Sequence, residues 1–276
     1  MIKIRHKTYV TVYEINKRMK LILVIFIASI ASTSVSATDS SDSLKFSTGI
    51  EYSSGSYGLS SDTDITYIPF SVKYQTFPWS LKLTVPFVRI SGPGGVVAGV
   101  DGPIVIGGVN ENKRTTESGL GDVVASAAYS LDSLFETSLL LDLKTKVKLG
   151  TANETKGLGT GENDYSIQLD IARKFGKATP FATLGHKVTG DPDSVELNDI
   201  WYSSLGLDYK INPSLSSGLS FDYKEATSST SEDSQEGVAY LNWKVNPKTS
   251  VMGYGVAGFS DGSPDNGVGV QVTIKQ

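Results

Sequence analysis

The chain has 276 residues, of which 39% are hydrophobic, and its mean hydropathy of −0.09 is too low for a protein built from membrane-spanning helices. It contains no Cys, which excludes disulfide frameworks, thiolate nucleophiles and zinc sites built on Cys. Its formal net charge of −4 argues against nucleic-acid binding, which requires a basic patch.

Residues 1–37 have the three parts of a secretory signal peptide. Basic residues precede an apolar run at 21–30, and small residues follow up to Ala37. The apolar run is too short to span a bilayer as a helix, which takes about 20 residues. We predict cleavage after Ala37, with Met19 as an alternative start of translation. Residues 1–37 hold six basic residues and one acidic residue, so the mature chain, residues 38–276, carries a net charge of −9.

From residue 44 onward the chain alternates apolar and polar residues in segments of about ten residues. In the last segment, Val268, Val270 and Val272 fall on one face and Gly269 and Gln271 on the other. A tilted strand that crosses a membrane needs about 9–11 residues. Twelve such strands are predicted, at 44–52, 64–74, 79–90, 119–131, 135–149, 164–174, 179–189, 199–210, 214–224, 236–245, 250–259 and 266–275.

The gaps between these segments are alternately short and long. The short ones, such as 75–78 and 211–213, contain Pro or Gly, whereas the long ones are mostly polar. The pattern predicts an all-β protein: a closed antiparallel transmembrane β-barrel of about 12 strands, with short periplasmic turns and longer extracellular loops. A soluble β-sandwich also alternates, but its strands are usually only about 5–6 residues long.

Alternation also predicts which side chains face the lumen. On the strand at 135–149, leucines fall on one face and charged residues on the other, and a Lys facing lipid costs roughly 2–4 kcal/mol. We therefore predict a charged lumen lined by Asp142, Lys144, Lys146, Lys148, Asp170, Asp208, Lys210, Asp222 and Lys224. The three lysines at 144, 146 and 148 permit two interpretations: a salt-bridge network with the lumen aspartates, or a wall that selects an anionic solute.

The loop at 91–118 is long, rich in Gly and unusually apolar. Because exposing apolar side chains to water is costly, we expect this loop to bury itself against or inside the barrel mouth as a gate. The predicted gating residues are Val96, Val97, Val100, Ile104, Val105 and Ile106.

The centre of the chain carries short motifs in a characteristic order. They are Ser118-Gly119-Leu120-Gly121-Asp122, Lys148-Leu149-Gly150-Thr151, Lys156-Gly157-Leu158-Gly159-Thr160-Gly161, Asp164-Tyr165-Ser166 and Arg173-Lys174-Phe175-Gly176. Over residues 115–276 this order resembles the outer-membrane "transporter" family named for the meta-pathway of phenol degradation. The resemblance implies a barrel and an aromatic permeant, and it identifies no catalytic residues in this chain. The chain departs from outer-membrane barrels in general by ending in Lys275-Gln276 rather than in an aromatic residue.

Other motifs have ordinary explanations. The glycine clusters at 118–122 and 157–161 lack the helix and the Lys-Ser/Thr pair of a phosphate loop, and we interpret both as turns at the barrel rim. The acidic loop at 191–199 departs from the calcium-loop pattern and is interpreted as a solvated loop. His186, the one His outside the signal segment, is interpreted as a structural or interfacial residue, with lipid hydrolysis as the alternative.

These observations predict a passive channel for a small solute, aromatic or anionic, in the outer membrane of a Gram-negative bacterium. Two alternatives stay open: an outer-membrane lipid hydrolase that uses His186, and a structural or surface-binding barrel without transport. We assign no catalytic residue, metal or cofactor. The expected partners are outer-membrane lipid and lipopolysaccharide, the barrel-assembly machinery and the small-molecule solute, with no nucleic acid.

Overall fold

The structure is a computed structural model that describes residues 42–99, 102–106, 114–131, 139–192 and 195–276. The predicted signal peptide, residues 1–37, lies outside the described residues. None of the described residues form a helix long and apolar enough to cross a membrane. The strands are β1 (Ser43–Gly55), β2 (Thr63–Thr76), β3 (Trp79–Gly92), β4 (Val96–Val97), β5 (Ile104–Val105), β6 (Thr115–Leu120), β7 (Val123–Ser130), β8 (Leu139–Leu149), β9 (Asp164–Arg173), β10 (Ala178–Val188), β11 (Ile200–Asn212), β12 (Leu215–Lys224), β13 (Ser234–Asn246), β14 (Thr249–Gly258) and β15 (Asn266–Lys275).

Antiparallel pairing closes the sheet into a barrel. Strands β4 and β5 form a separate pair. Each strand of the barrel pairs with the next wall strand along the chain, β3 pairs with both β6 and β7, and β1 also pairs with β15, from Lys45 opposite Lys275 to Ser54 opposite Asn266. Because β6 and β7 lie end to end along β3, they count as one wall strand, and the described barrel has twelve. The predicted fold is confirmed.

One wall strand is interrupted where β6 passes into β7. Gly121 and Asp122 separate the two halves, and they lie opposite the part of β3 that contains Pro86. The Gly121 N–H donates to the Pro86 carbonyl oxygen at 2.9 Å. The prediction that residues 118–122 form a turn at the rim is wrong, because residues 118–120 belong to β6 and Gly121 and Asp122 form a break within the wall. Such a break re-aims the side chain it contains, here Asp122.

The exterior of the barrel is apolar. Leu205 and Leu219 are 67% and 65% exposed, and Trp201 and Phe221 are also exposed on the same outer surface. Exposing this many apolar side chains to water is unfavourable, and an apolar band is the surface that outer-membrane barrels present to lipid. The predicted outward positions Tyr165 and Ile167 belong to it.

The two ends of the barrel differ. Turns of two to four residues join β2 to β3, β9 to β10, β11 to β12 and β13 to β14 at one end, hereafter the short-turn end. The longer connections lie at the opposite, long-loop end. The turn at 132–134 and the predicted strand start at 135 lie outside the described residues.

Candidate permeation pathway

A small hairpin packs inside the long-loop end of the barrel. Strands β4 and β5 pair at Val96 with Val105 and at Val97 with Ile104. These four side chains are only 3–5% exposed. Ile106 is partly buried, and its N–H donates to the Gly95 carbonyl oxygen at 2.8 Å. Val100, the remaining predicted gating residue, lies outside the described residues.

The hairpin packs against the barrel wall and against other loops. Val96, Ala98 and Val105 contact one apolar cluster that includes wall residues from β2 and β3. Its other buried members are Ile65, Val88, Ile90, Tyr57 and Leu158. We call this apolar cluster, together with β4 and β5, the plug. It is formed by residues from separate segments of the chain.

Two hydrogen bonds fasten the hairpin to neighbouring loops. The Ala98 N–H donates to the Gly157 carbonyl oxygen at 3.0 Å, and the Ser228 hydroxyl donates to the Val105 carbonyl oxygen at 2.6 Å. Gly157 adopts φ 66°, as expected for a tight turn after the short 3-10 helix Glu154–Lys156. The loops at 150–163 and 225–233 thus hold the hairpin from two sides.

Tyr57 is the most constrained residue of the plug. It lies in the loop between β1 and β2 with φ 51°, a left-handed conformation that is rare for a non-glycine residue, and it is 2% exposed. Its hydroxyl has no hydrogen-bond partner among the described residues. Burial raises the pKa of this phenol. The contacts of its ring with the apolar cluster must offset the free-energy costs of the left-handed backbone and of the buried hydroxyl that has no partner among the described residues.

Beneath the plug lies a buried ion cluster. The Lys148 ammonium is 3.1 Å from the Asp164 carboxylate and 3.6 Å from the Asp122 carboxylate, and it donates to the Thr160 hydroxyl at 2.8 Å. Lys187 is 3.9 Å from the same Asp164 carboxylate. A cavity of about 10 Å³ separates these charges from Gly99 and Gly102 of the hairpin, so water is nearly excluded.

Asp122 reaches this cluster because of the break between β6 and β7. Its carboxylate also accepts the N–H groups of Thr151 at 3.0 Å and Ala152 at 2.9 Å. These bonds join the wall to the loop that holds Leu158 of the plug. Lys148 therefore differs from Lys144 and Lys146, because its charge is compensated by buried carboxylates, whereas those two lysines line the larger lumen cavity.

A cavity of about 980 Å³ occupies the lumen toward the short-turn end. Four of the predicted lumen residues line this cavity: Asp142, Lys144, Lys146 and Asp170. The Lys144 ammonium is 3.3 Å from the Asp170 carboxylate, which also accepts the Thr183 hydroxyl at 2.7 Å. Lys146 lies over the Tyr202 ring, 6.0 Å from its centroid.

The other predicted lumen residues occupy separate regions. Asp222 and Lys224 line a second cavity of about 240 Å³, and Lys224 approaches Gly102 of the hairpin. Asp208 accepts a 3.4 Å hydrogen bond from the Tyr240 hydroxyl. Lys210 is exposed at the short-turn end, where the pairing of β11 with β12 shifts register.

Sequence reasoning missed three lysines in the large cavity: Lys45, Lys73 and Lys82. Each is flanked by apolar neighbours in sequence, as in Val72-Lys73-Tyr74 and Leu81-Lys82-Leu83. That alternation is the same signal that identified Lys144. Together with Lys144 and Lys146 they outnumber the cavity's three carboxylates, which belong to Glu51, Asp142 and Asp170.

Inward-facing aromatic rings lie flat against glycines of neighbouring strands. A Cβ on Gly185 would overlap the Tyr202 ring, which lies directly across from it in register. The same relation joins Gly206 to Phe181, Gly218 to Tyr240 and Gly269 to Tyr254. Covering a glycine with a cross-strand ring restores packing that the strand otherwise lacks, and it keeps the ring out of the central lumen.

The remaining candidate residues have structural partners. His186 faces outward beside Trp201, with ring centroids 4.8 Å apart, and its cross-strand neighbours are Ile167 and Trp201. These surroundings supply no support for the hydrolase alternative. In the acidic loop, Asp191 accepts the Leu197 N–H at 2.7 Å and Asp199 accepts the Thr189 N–H at 3.0 Å, so both carboxylates shape the loop.

The chain was compared with known families and structures. A model of the family described as "Putative MetA-pathway of phenol degradation" matches residues 38–275. The chain belongs to this family. The match covers nearly the whole described barrel and extends beyond residues 115–276, where the sequence motifs resemble the family. No curated protein sequence matches the chain.

Solved structures share the fold. An outer-membrane channel from Pseudomonas putida F1 is 16% identical, with a TM-score of 0.63 over 88% of this chain and 98% of that one. The KdgM porin is 12% identical, with a TM-score of 0.48 over 84% and 98% of the two chains. The CymD monoaromatic hydrocarbon channel is 11% identical, with a TM-score of 0.43 over 86% and 88%. The first of these similarities supports the barrel fold of an outer-membrane channel.

Proposed function

We propose that this protein is a passive outer-membrane channel for a small solute and that the plug is its gate. The observation that carries the proposal is an apolar hairpin packed above a large lumen cavity whose lining includes five lysines, three carboxylates and several hydroxyl groups. A barrel that served only as a structural anchor has no need of a polar cavity of about 980 Å³ beneath a separate plug.

The interior supports passage of a hydrated solute. Barrels of eight strands are filled by side chains, whereas those of 16–18 strands leave an open channel, and twelve strands fall between. The large cavity of about 980 Å³ offers space for such a solute. With the long-loop end outside and the short-turn end in the periplasm, the plug would control entry from the medium.

The charge of the large cavity favours an anion. Five lysines and three carboxylates line it, and lumen charges tune selectivity in other channels. The family description names phenol degradation, which supports an aromatic solute. We therefore propose an aromatic acid, a molecule with an apolar body and an anionic end.

The proposal includes export and membrane assembly. Residues 1–37 would be removed as a signal peptide after Ala37, and the barrel would be inserted by the assembly machinery among lipid and lipopolysaccharide. Mass spectrometry of the outer-membrane fraction tests this directly: a mature chain that retained residues 21–30 would contradict it.

Solute flux into proteoliposomes tests the channel function. Swelling is measured with benzoate and with benzylamine, which have similar bodies and opposite charges, in wild-type protein and in a variant that lacks residues 95–108. We expect the variant to admit both solutes faster than protein-free liposomes and the wild type to favour benzoate. Swelling at the protein-free rate in both proteins would overturn the proposal.

A further inference from the structure

The register of the barrel places lysines side by side on consecutive strands. Lys275 on β15 is directly opposite Lys45 on β1, Lys45 is opposite Lys73 on β2, and Lys73 is opposite Lys82 on β3. All four lie at positions whose alternation faces the lumen. Like charges directly across a strand pair destabilise a sheet, so this arrangement carries a cost.

The same row continues around the wall through small residues. Lys82 is opposite Ser126, which is opposite Lys146 on β8. Lys146 is opposite Ser166, which is opposite Lys187 on β10. We call the six lysines of this row the basic row: Lys275, Lys45, Lys73, Lys82, Lys146 and Lys187.

Strand tilt converts the basic row into a rising path. Neighbouring strands lie about 4.8 Å apart, and a tilt of about 35–45° raises each step by roughly 3 Å. Seven steps from β15 to β10 therefore climb about 20 Å, most of the apolar band of such a barrel. The positions of the first and last lysines of the basic row agree with this climb. Lys275 is the last residue of β15 at the short-turn end, and Lys187 lies beneath the plug.

The middle of the basic row lacks compensating carboxylates. Lys73 and Lys82 have no carboxylate within ion-pair distance in the described part of the chain, and Lys45 donates to the Gln75 side-chain oxygen at 3.2 Å. Lys45, Lys82 and Lys144 are all within electrostatic range of the Lys73 ammonium, and Asp142 is the carboxylate that acts on it.

The acidic side chains form a different row. Asp142 is opposite Asp170, and Asp222 is opposite Glu236, with Thr183 and Ser204 between the two pairs. This row runs along β8 to β13, whereas Lys45, Lys73 and Lys82 lie on β1 to β3. On the β1–β3 wall, Glu51 is the one carboxylate among the residues that line the large cavity, and it accepts a hydrogen bond from the Tyr254 hydroxyl. Three lysines against this one carboxylate make the β1–β3 wall the basic side of the lumen.

Hydroxyl groups accompany the basic row. Two residues toward the long-loop end, on the same face of each strand, Ser47 shares a 2.9 Å hydrogen bond with Thr273, and Ser71 shares one of 2.8 Å with Thr84. Ammonium and hydroxyl groups are donors that carboxylates and phosphates accept. Three adjacent ammonium groups match a ligand with several negative charges better than one with a single charge.

We propose that the basic row is a binding track for small anions with two or more negative charges, centred on Lys45, Lys73 and Lys82. Use of the track for transport rests on the proposed channel function; binding to it does not. A polycarboxylate would be held along the β1–β3 wall and would pass between neighbouring lysines as it moves along the lumen.

Titration calorimetry on the folded protein in detergent tests the track without requiring passage. The probes are benzoate, phthalate and benzene-1,3,5-tricarboxylate, which share a ring and differ in charge, at one ionic strength. The test variant is Lys73→Gln with Lys82→Gln. The control is Lys177→Gln with Lys248→Gln, which removes two exposed lysines from short turns and leaves the lumen unchanged.

We expect affinity to rise from benzoate to the tricarboxylate in the wild type. The test variant should bind the tricarboxylate about tenfold more weakly, since each missing ammonium weakens a multiply charged ligand several-fold, and the control should match the wild type. Equal affinity for benzoate and the tricarboxylate, or equal losses in both variants, would overturn the track. Tricarboxylate binding, together with swelling at the protein-free rate in both the wild type and the variant that lacks residues 95–108, would support the track and overturn the channel.

Discussion

The Ser228 hydroxyl donates a 2.6 Å hydrogen bond to the carbonyl oxygen of Val105, although 123 positions separate the two residues in sequence. Ser228 is 1% exposed and belongs to the loop between β12 and β13, whereas Val105 belongs to the β4–β5 hairpin of the plug. This bond fixes one side of the hairpin to the rim of the barrel. Its strength should therefore influence how often the lumen opens.

Replacing Ser228 with Ala should raise the open probability of the channel. The substitution removes the hydroxyl bond that joins the loop to the hairpin, along with bonds to Thr230 inside the loop. The bond to the hairpin is worth about 1 kcal/mol, which corresponds to about a fivefold change in equilibrium. Single-channel recording checks this. Ser231→Ala is the matched control, because the Ser231 hydroxyl bonds only within its own loop, to Ser228. Equal open probabilities in both variants would show that this bond does not hold the plug.

Replacing Lys148 with Met should destabilise the barrel strongly. The variant leaves Asp122 and Asp164 buried without their principal cation, and breaking a buried ion pair in this way costs about 3–5 kcal/mol. Unfolding in urea, followed by Trp fluorescence, gives the change in free energy. The control is Lys156→Met, which breaks an exposed 3.4 Å pair with Glu117 and should change stability little. Similar losses in the two variants would contradict the assignment of a buried cluster.

Replacing Gly185 with Ala should destabilise the barrel, because the new methyl group overlaps the Tyr202 ring. Overpacking of this kind costs about 1–3 kcal/mol. Adding Tyr202→Ser should recover part of the loss. Gly253→Ala serves as the control, since a Cβ there meets nothing within 4 Å. If the Gly185 and Gly253 variants unfold at the same urea concentration, the ring does not pack on Gly185.

Cysteine labelling should distinguish the two faces of β12. Cysteine at Leu219, which is 65% exposed on the outer surface, should react with lipid-phase probes. Cysteine at Asp222, which lines the second cavity, should react with small aqueous thiol reagents. The native chain has no Cys, so the background is clean. Reversed labelling would place the strand one residue out of register and turn every side chain to the other face.

The sequence was sufficient to predict the strands and their faces, because alternation is a local property. Leu141, Lys144 and Asp170 could each be assigned from their immediate neighbours. Which residues lie opposite each other depends on the register across the barrel. Long loops do not determine this register, and in a hairpin it changes with the exact length of the short turn. The alignment of Lys45 with Lys73 and Lys82 was therefore invisible, although each lysine obeyed the alternation.

The plug shows a second limit of the sequence. The apolar composition of residues 91–118 indicated that the loop must be buried, because water is a poor environment for its valines. The partners that bury it, Tyr57, Leu158 and Ser228, come from loops that look polar or rich in Gly. The break at Gly121 was equally hidden, because a Gly beside an Asp is typical of a turn and only the pairing with β3 shows that the wall continues past it.

The gate is tested most directly by the single-channel conductance of the wild type and of the variant that lacks residues 95–108, measured in planar bilayers in the same salt. Heat-modifiable electrophoretic mobility and far-UV circular dichroism establish that both proteins are folded barrels. If the hairpin is a gate, we expect small or infrequent openings for the wild type and a larger, sustained conductance for the variant. Equal conductance in two folded proteins would contradict a gate at the hairpin.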